Sequence, residues 1–191
     1  MHWKQLVLTA VFNCTLVSAN AQTAAVDPAL LTKASAGDAA AQVRVGEGVA
    51  AGSGQARTAK QLAEDYRQAA EWYRKAAAQG NIAGEMHLAA LYRDGKGVAH
   101  DMEQAAALYR KAAEQGDATA QATLGVLYSM GQGVPHNDVE AYYWLDLAAS
   151  VKGPNQEKYA ANRQMVGTHI TANELDTVEE RVAQWKAAHP R

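Results

Sequence analysis

Self-similarity constrains this chain more than any other feature. Gly116-Asp117-Ala118-Thr119-Ala120-Gln121 opens a segment that runs through Leu124-Gly125-Val126-Leu127-Tyr128 and turns at Gly131-Gln132-Gly133-Val134-Pro135. It closes on Ala141-Tyr142-Tyr143-Trp144-Leu145-Asp146-Leu147-Ala148-Ala149. Thirty-six residues earlier the pattern stands again, as Gly80, Leu88-Ala89-Ala90-Leu91-Tyr92, Gly95-Lys96-Gly97-Val98 and an alanine-rich run over 105–113. Seventy-nine residues earlier its first half returns, in Gly37-Asp38-Ala39-Ala40-Ala41-Gln42, Gly46 and Gly52-Ser53-Gly54. A unit recurring every 20–50 residues cannot bury its apolar face alone, so such chains stack their units into one continuous core.

Each copy predicts two helices around a glycine turn. In the middle copy helix A covers about 83–93, with Leu88, Leu91 and Tyr92 on one side, and helix B about 102–114, with Ala105, Leu108, Ala112 and Ala113 at helical spacing. Alanine where the helices meet lets their backbones come close. Gly46 and Gly125 share a register with Ala89. A glycine inside a helix costs about 1 kcal/mol, so its return implies a close helix–helix approach. On this reading position 125 should accept alanine, as Ala89 exemplifies, but not leucine. Gly-x-Gly ends helix A by supplying the left-handed conformation. Gly80 and Gly116 end helix B in the same way, after the cations Arg74-Lys75 and Arg110-Lys111.

The succession Ala-x-Ala-Gln-x-x-Leu-Gly-x-Leu-Tyr, Gly-x-Gly-Val and Tyr-Arg-Lys-Ala-Ala-Glu-Gln-Gly closely resembles the Sel1-like repeat, a relative of the tetratricopeptide repeat, over roughly 34–151. The resemblance implies an all-α solenoid of stacked antiparallel helix pairs with a C-terminal capping helix. The first copy departs from the pattern. Gly37 to Gly80 is 43 residues against 36 from Gly80 to Gly116, with the excess between Gly54 and Ala69, and Gly48 and Val49 stand where the Leu-Tyr pair belongs.

Taken in order, residues 1–21 read as a secretory signal: Lys4 and the amino terminus, an apolar run over 6–17, and the small-residue cleavage site Ala19-Asn20-Ala21. That run is too short to span a membrane, which needs about 20 residues. Cleavage leaves Gln22 first and removes the single Cys, Cys14, and the single Phe, Phe12. The mature protein is then expected in the periplasm or outside the cell, without disulfides. Residues 22–36 are a lead-in, with Asp27-Pro28 starting a helix over about 28–33. Three repeats follow at 37–79, 80–115 and 116–151, the first with a Gly/Ser-rich loop at 52–59. Gly153-Pro154 breaks the last helix, and 152–191 is expected to cap the stack. Within it 157–166 is helical, Thr171 and Glu174 form a capping box, and Leu175, Val178, Val182 and Trp185 make an apolar stripe.

Sites of chemistry are scarce. Eighteen basic residues against twenty acidic argue against a nucleic-acid or anionic-membrane partner. Gly46-Glu47-Gly48-Val49-Ala50-Ala51 fits a relaxed dinucleotide fingerprint, but the register places it inside helix A, not after a strand. His100 and His136 are repeat-equivalent, each two residues past a Gly-Val pair, and read as turn residues; adjacent turns could share a metal only with fixed geometry. His87 reads as a helix-surface residue and His169 as a loop residue. Ser53 lies in no G-x-S-x-G elbow and no H-E-x-x-H occurs, so no catalytic, cofactor or metal residue is assigned and the chain is read as a non-enzyme. Trp72, Leu108 and Trp144 share one helix B register and are expected in the core.

The resemblance implies a concave surface lined mainly by helix A. Its groove-facing positions are Met86, Ala90, Arg93 and Asp94, and in the third copy Ala122, Val126, Ser129 and Met130. The expected function is an adaptor or regulator that binds another protein or peptide of the cell envelope there. The alternative is an envelope hydrolase of the penicillin-binding or lactam-cleaving type reported for cysteine-rich relatives, whose cysteine pairs this chain lacks.

Overall fold

The structure is a computed structural model that describes residues 26–52 and 58–190. The signal segment 1–21, the cleavage site and most of the 52–59 loop fall outside the described residues. Among the described residues there are nine helices and no strands: α1 (Pro28–Ser35), α2 (Ala39–Ala51), α3 (Ala59–Ala77), α4 (Ile82–Asp94), α5 (Met102–Glu114), α6 (Ala118–Met130), α7 (Asp138–Ala149), α8 (Gln156–Gly167) and α9 (Ala172–Ala188). Each packs chiefly on its neighbours in sequence, so the chain is an α-solenoid.

Local chemistry sets where the helices begin. Asp38, Asn81, Asp101, Asp117 and Asn137 each accept a hydrogen bond from a free amide of the first turn. Thr171 and Glu174 form the expected capping box, and Thr58 with Gln61 forms another. The A helices α4 and α6 end on left-handed Gly95 and Gly131.

Within a repeat, A and B helices touch at one register. Gly46 faces Tyr73 and Gly125 faces Leu145, while Ala89 shares a buried cluster with Ala105 and Tyr109. Tyr73, Tyr109 and Leu145 thus share one buried register of their B helices. Trp144 is buried, but Trp72 and Leu108, expected in the core with it, are only half-buried, each at the edge of a different cluster. The contact at Gly125 corrects the expectation that alanine fits there. A β-carbon at 125 would lie 2.7 Å from Leu145 Cγ and 2.9 Å from the Ala141 carbonyl oxygen. Neither atom is a flexible chain end, so alanine at the equivalent position of the middle repeat does not carry over to position 125.

Between repeats, three devices recur. First, a buried glutamine of helix A donates to the last turn of the preceding B helix: Gln42 Nε2 to the Ala34 carbonyl and Gln121 Nε2 to the Ala113 carbonyl, both at 3.1 Å. Second, an arginine of helix B bonds the tyrosine hydroxyl of the next helix A, Arg74 to Tyr92 and Arg110 to Tyr128. Third, the second glycine of each turn docks on the preceding B helix. Gly133, at φ +69°, would place a β-carbon 2.0 Å from the Met102 carbonyl oxygen, and Gly97 would place one 2.3 Å from the Tyr66 carbonyl carbon and 2.4 Å from the Arg67 nitrogen. The Gly-x-Gly turn therefore joins repeats as well as ending helices.

The ends of the stack are built from the same parts. Short α1 takes the place of a B helix before the first repeat; Val26 and Ala34 cover Val45 and Val49 there. At the other end Gln156 Nε2 donates to the Ala149 carbonyl at 3.1 Å, so α8 docks on α7 as an A helix docks on a B helix. Asp146 occupies the register of Arg74 and Arg110 and inverts its charge. It pairs with Arg163 of α8 and lies 4.0 Å from Lys186 of α9. Helix α9 lies on α7 through buried Val178 and Val182, with Arg181 bonded to Glu140 at 2.8 Å and stacked over the Tyr143 ring.

Candidate protein-binding surface

The A helices α2, α4, α6 and α8 form one side of the stack. On α4, Met86 is half-buried and packs toward the third repeat, and Ala90 is half-buried one turn on. Arg93 and Asp94 are exposed at the helix end and bond each other, Arg93 Nε to Asp94 Oδ1 at 2.8 Å. Arg93 also donates to the Tyr109 hydroxyl at 3.3 Å, and Lys96 Nζ donates to Asp94 Oδ2 at 3.0 Å. These bonds hold the Asp94 carboxyl below its ordinary range, Arg93 first and Lys96 second.

On α6 the four candidate positions diverge. Ala122 is buried, Val126 and Ser129 are half-buried, and Met130 is 62% exposed. The Ser129 hydroxyl is turned back on its own helix, donating to the Val126 carbonyl at 2.9 Å. Ala122 and Val126 instead line a slot of about 260 Å³ between α6 and α8. Thr119 and Thr123 continue the α6 wall, and Asn155, Lys158, Tyr159 and Asn162 form the α8 wall. Tyr159 donates to Thr119 Oγ1 at 3.3 Å and bridges the two walls.

The eight positions therefore do not form one open groove. Met86 and Ala122 sit at the joints with the following unit, while Arg93, Asp94 and Met130 mark the exposed helix ends. The α8 wall was missed because the tail carries no repeat motif. Two signals could have found it. Gly153 falls 37 residues after Gly116, close to one repeat period, and Gln156 stands where a docking glutamine is needed.

The other candidates of the sequence resolve into structural roles. His100 Nδ1 donates to the Arg93 carbonyl at 2.7 Å and His136 Nδ1 to the Ser129 carbonyl at 3.0 Å, so each ring closes its own turn. His136 and His169 flank Asp138 at 3.4 and 3.5 Å. His87 stacks on Tyr73 and bonds Glu47 at 3.0 Å. Among the described residues no group of three His, Cys, Asp or Glu could hold a metal ion, and no helix is long and apolar enough to cross a membrane. The glycine fingerprint at 46–51 lies wholly within α2.

Comparison with known proteins places these observations. A family model described as Sel1 repeat matches residues 39–81, 82–117 and 118–150. No curated protein matches the chain. Among solved structures, a Sel1 repeat protein from Oxalobacter formigenes is 36% identical, with a TM-score of 0.56, over 63% of this chain and 87% of that one. A protective antigen of uropathogenic Escherichia coli displaying an SLR fold is 28% identical, with a TM-score of 0.59, over 83% of this chain. The match spans only 40% of that antigen. With three matched repeats and the glutamine, arginine and glycine contacts that join them, the chain belongs to the Sel1-repeat family.

Proposed function

We propose that this chain is a non-enzymatic adaptor or regulator that binds a protein partner of the bacterial envelope along its A-helix side. Proteins of the family generally mediate protein–protein interaction and are generally scaffolds. The observation that carries the finer reading is the slot between α6 and α8. Its threonine, asparagine and lysine groups alternate with Ala122, Val126 and Tyr159, a lining suited to an extended peptide with both amide and apolar groups. The envelope assignment rests on the charged start, apolar run and Ala19-Asn20-Ala21 of the sequence. No observation favours the hydrolase alternative.

Crosslinking pull-down from the native envelope identifies the partner, and a Lys158→Glu/Asn162→Ala double variant then tests the slot. Its affinity for that partner is expected to fall at least about tenfold, or about 1.4 kcal/mol. Circular dichroism should remain that of a folded helical protein. Unchanged affinity in the folded variant would remove the slot from the binding surface. Intact-mass measurement of exported protein should give Gln22 as first residue; a chain retaining Met1 would refute export by cleavage.

A further inference from the structure

Among the described residues three large hydrophobic side chains are exposed: Leu62, Met130 at 62% and Met165 at 68%. The two methionines hold one register. Each stands nine residues after the glutamine that docks its helix, Gln121 on α6 and Gln156 on α8. The two helices run in the same direction, since Thr119 and Tyr159, bonded to each other, both lie in first turns. Met130 is seven residues past Thr123 and Met165 seven past Lys158, both slot residues. Two helical turns bring a residue back to within about 20° of the same face, so the methionines flank the C-terminal end of the slot. The repeat does not call for an apolar group there. The equivalent residue of α4 is Asp94, bonded to Arg93 and Lys96. Two exposed thioethers, unbranched and adaptable, are suited to grip an apolar side chain.

The other end of the slot carries charge. Lys158 is exposed there and forms no ion pair among the described residues. No acidic residue lines the slot, in a chain with twenty acidic residues. Asn155 and Asn162 stand three residues before and four after Lys158, and among the described residues neither carboxamide forms a hydrogen bond. An ammonium group between two free carboxamides, with no carboxylate competing for it, is complementary to an acidic side chain.

The separation of the two ends sets the spacing of the occupant. Seven residues from Lys158 to Met165 cover about 10.5 Å of helix axis at about 1.5 Å each. An extended chain covers that length in about three residues at about 3.3 Å each. We propose that the slot binds an extended segment of a partner protein in which an acidic and a large aliphatic residue stand three apart. The carboxylate pairs with Lys158, the neighbouring peptide groups meet Asn155 and Asn162, and the aliphatic side chain lies between Met130 and Met165. This inference rests on the slot being the binding surface and adds what the bound segment must contain.

The test is titration of the full chain, ¹³C-labelled at its methionine methyl groups, with capped peptides. Met130→Leu and Met165→Leu assign the two signals. The probes are acetyl-Ala-Glu-Ala-Ala-Leu-Ala-amide and its reverse order, acetyl-Ala-Leu-Ala-Ala-Glu-Ala-amide. At least one should move both methyl signals saturably, and the tighter of the two gives the chain direction. Replacing its Glu by Gln or its Leu by Ala, or placing Glu and Leu side by side, should weaken binding at least tenfold. Lys158→Glu should do the same and should transfer the preference to the peptide carrying Lys in place of Glu. Lys60→Glu makes the same charge change on α3, outside the slot, and should leave binding unchanged. Equal binding of the Glu and Gln peptides, or of the spaced and adjacent ones, would overturn the motif while leaving the slot a peptide site. No response of either methyl signal to any peptide at millimolar concentration would also overturn it. If the partner's affinity for Lys158→Glu/Asn162→Ala is then unchanged as well, the slot falls with the motif.

Discussion

Glu85 occupies the position at which the first and third repeats carry a docking glutamine, and replacing it with glutamine should stabilise the protein. Its side chain is 2% exposed. A carboxylate there cannot donate to the Ala77 carbonyl, the counterpart of the Ala34 and Ala113 carbonyls that Gln42 and Gln121 engage. It only accepts, from Gln115 Nε2 at 2.8 Å. Burial pushes its carboxyl above the ordinary value, opposed in part by Lys111 and by the Gln115 bond. Glu85→Gln keeps the bond from Gln115 and adds one to Ala77, a gain of about 1 kcal/mol. For a protein of this size that raises Tm by about 2–4 °C, and relief of the buried charge adds to it at neutral pH. The gain must depend on pH. A carboxyl whose folded value is raised binds its proton more readily folded than unfolded, so wild type recovers stability as pH falls through that value toward the ordinary one. The advantage of Glu85→Gln is therefore full at pH 7 and smaller near pH 4. Melts at both pH values decide the matter: no gain at pH 7, or the same gain at both, would refute the reasoning.

Other substitutions test the remaining contacts. Gln121 Oε1 is buried without a partner because Val151 stands where Gln79 and Gln115 stand in the other repeats, where they bond Gln42 and Glu85 at 2.9 and 2.8 Å. Val151→Gln should add about 0.5–1.5 kcal/mol in urea unfolding, and Val151→Ala none; equal effects would dismiss the bond. Gly133→Ala combines a left-handed backbone with a β-carbon at 2.0 Å from the Met102 carbonyl oxygen, and should cost more than about 1 kcal/mol. A melt coincident with wild type would show that this joint yields freely. Gly125→Ala should cost about 1–3 kcal/mol by overpacking against Leu145, and Gly125→Leu more; an alanine variant as stable as wild type would restore the simpler reading of Ala89.

Much of this architecture is legible in the residue order alone. Two gapless copies establish the repeat, its helix pairs and its glycine turns, because cap chemistry and helical periodicity act within a few residues of each other. The capping box at Thr171 and the buried stripe through Val178 and Val182 follow for the same reason. Contacts that join one unit to the next are less visible. The glutamine clamp and the Arg110–Tyr128 bond use residues present in the repeat motif, but their partners lie 8 and 18 residues away, across a helix boundary.

The candidate surface was the least legible part. Register alone assigns Ala122 and Val126 to an open groove, yet α8 lies beside them and makes a slot. That helix carries no Leu-Gly-x-Leu-Tyr motif and is positioned by Gln156 and by the ion pair of Arg163 with Asp146. At Asp146 the repeat's own arginine has changed sign, which turns a joint for another tyrosine-bearing repeat into a joint for the tail. A periodic pattern specifies which face of a helix is buried. Whether an exposed face then stays open depends on where a non-repeating segment finds its charge and hydrogen-bond partners, and only the packed structure contains those distances.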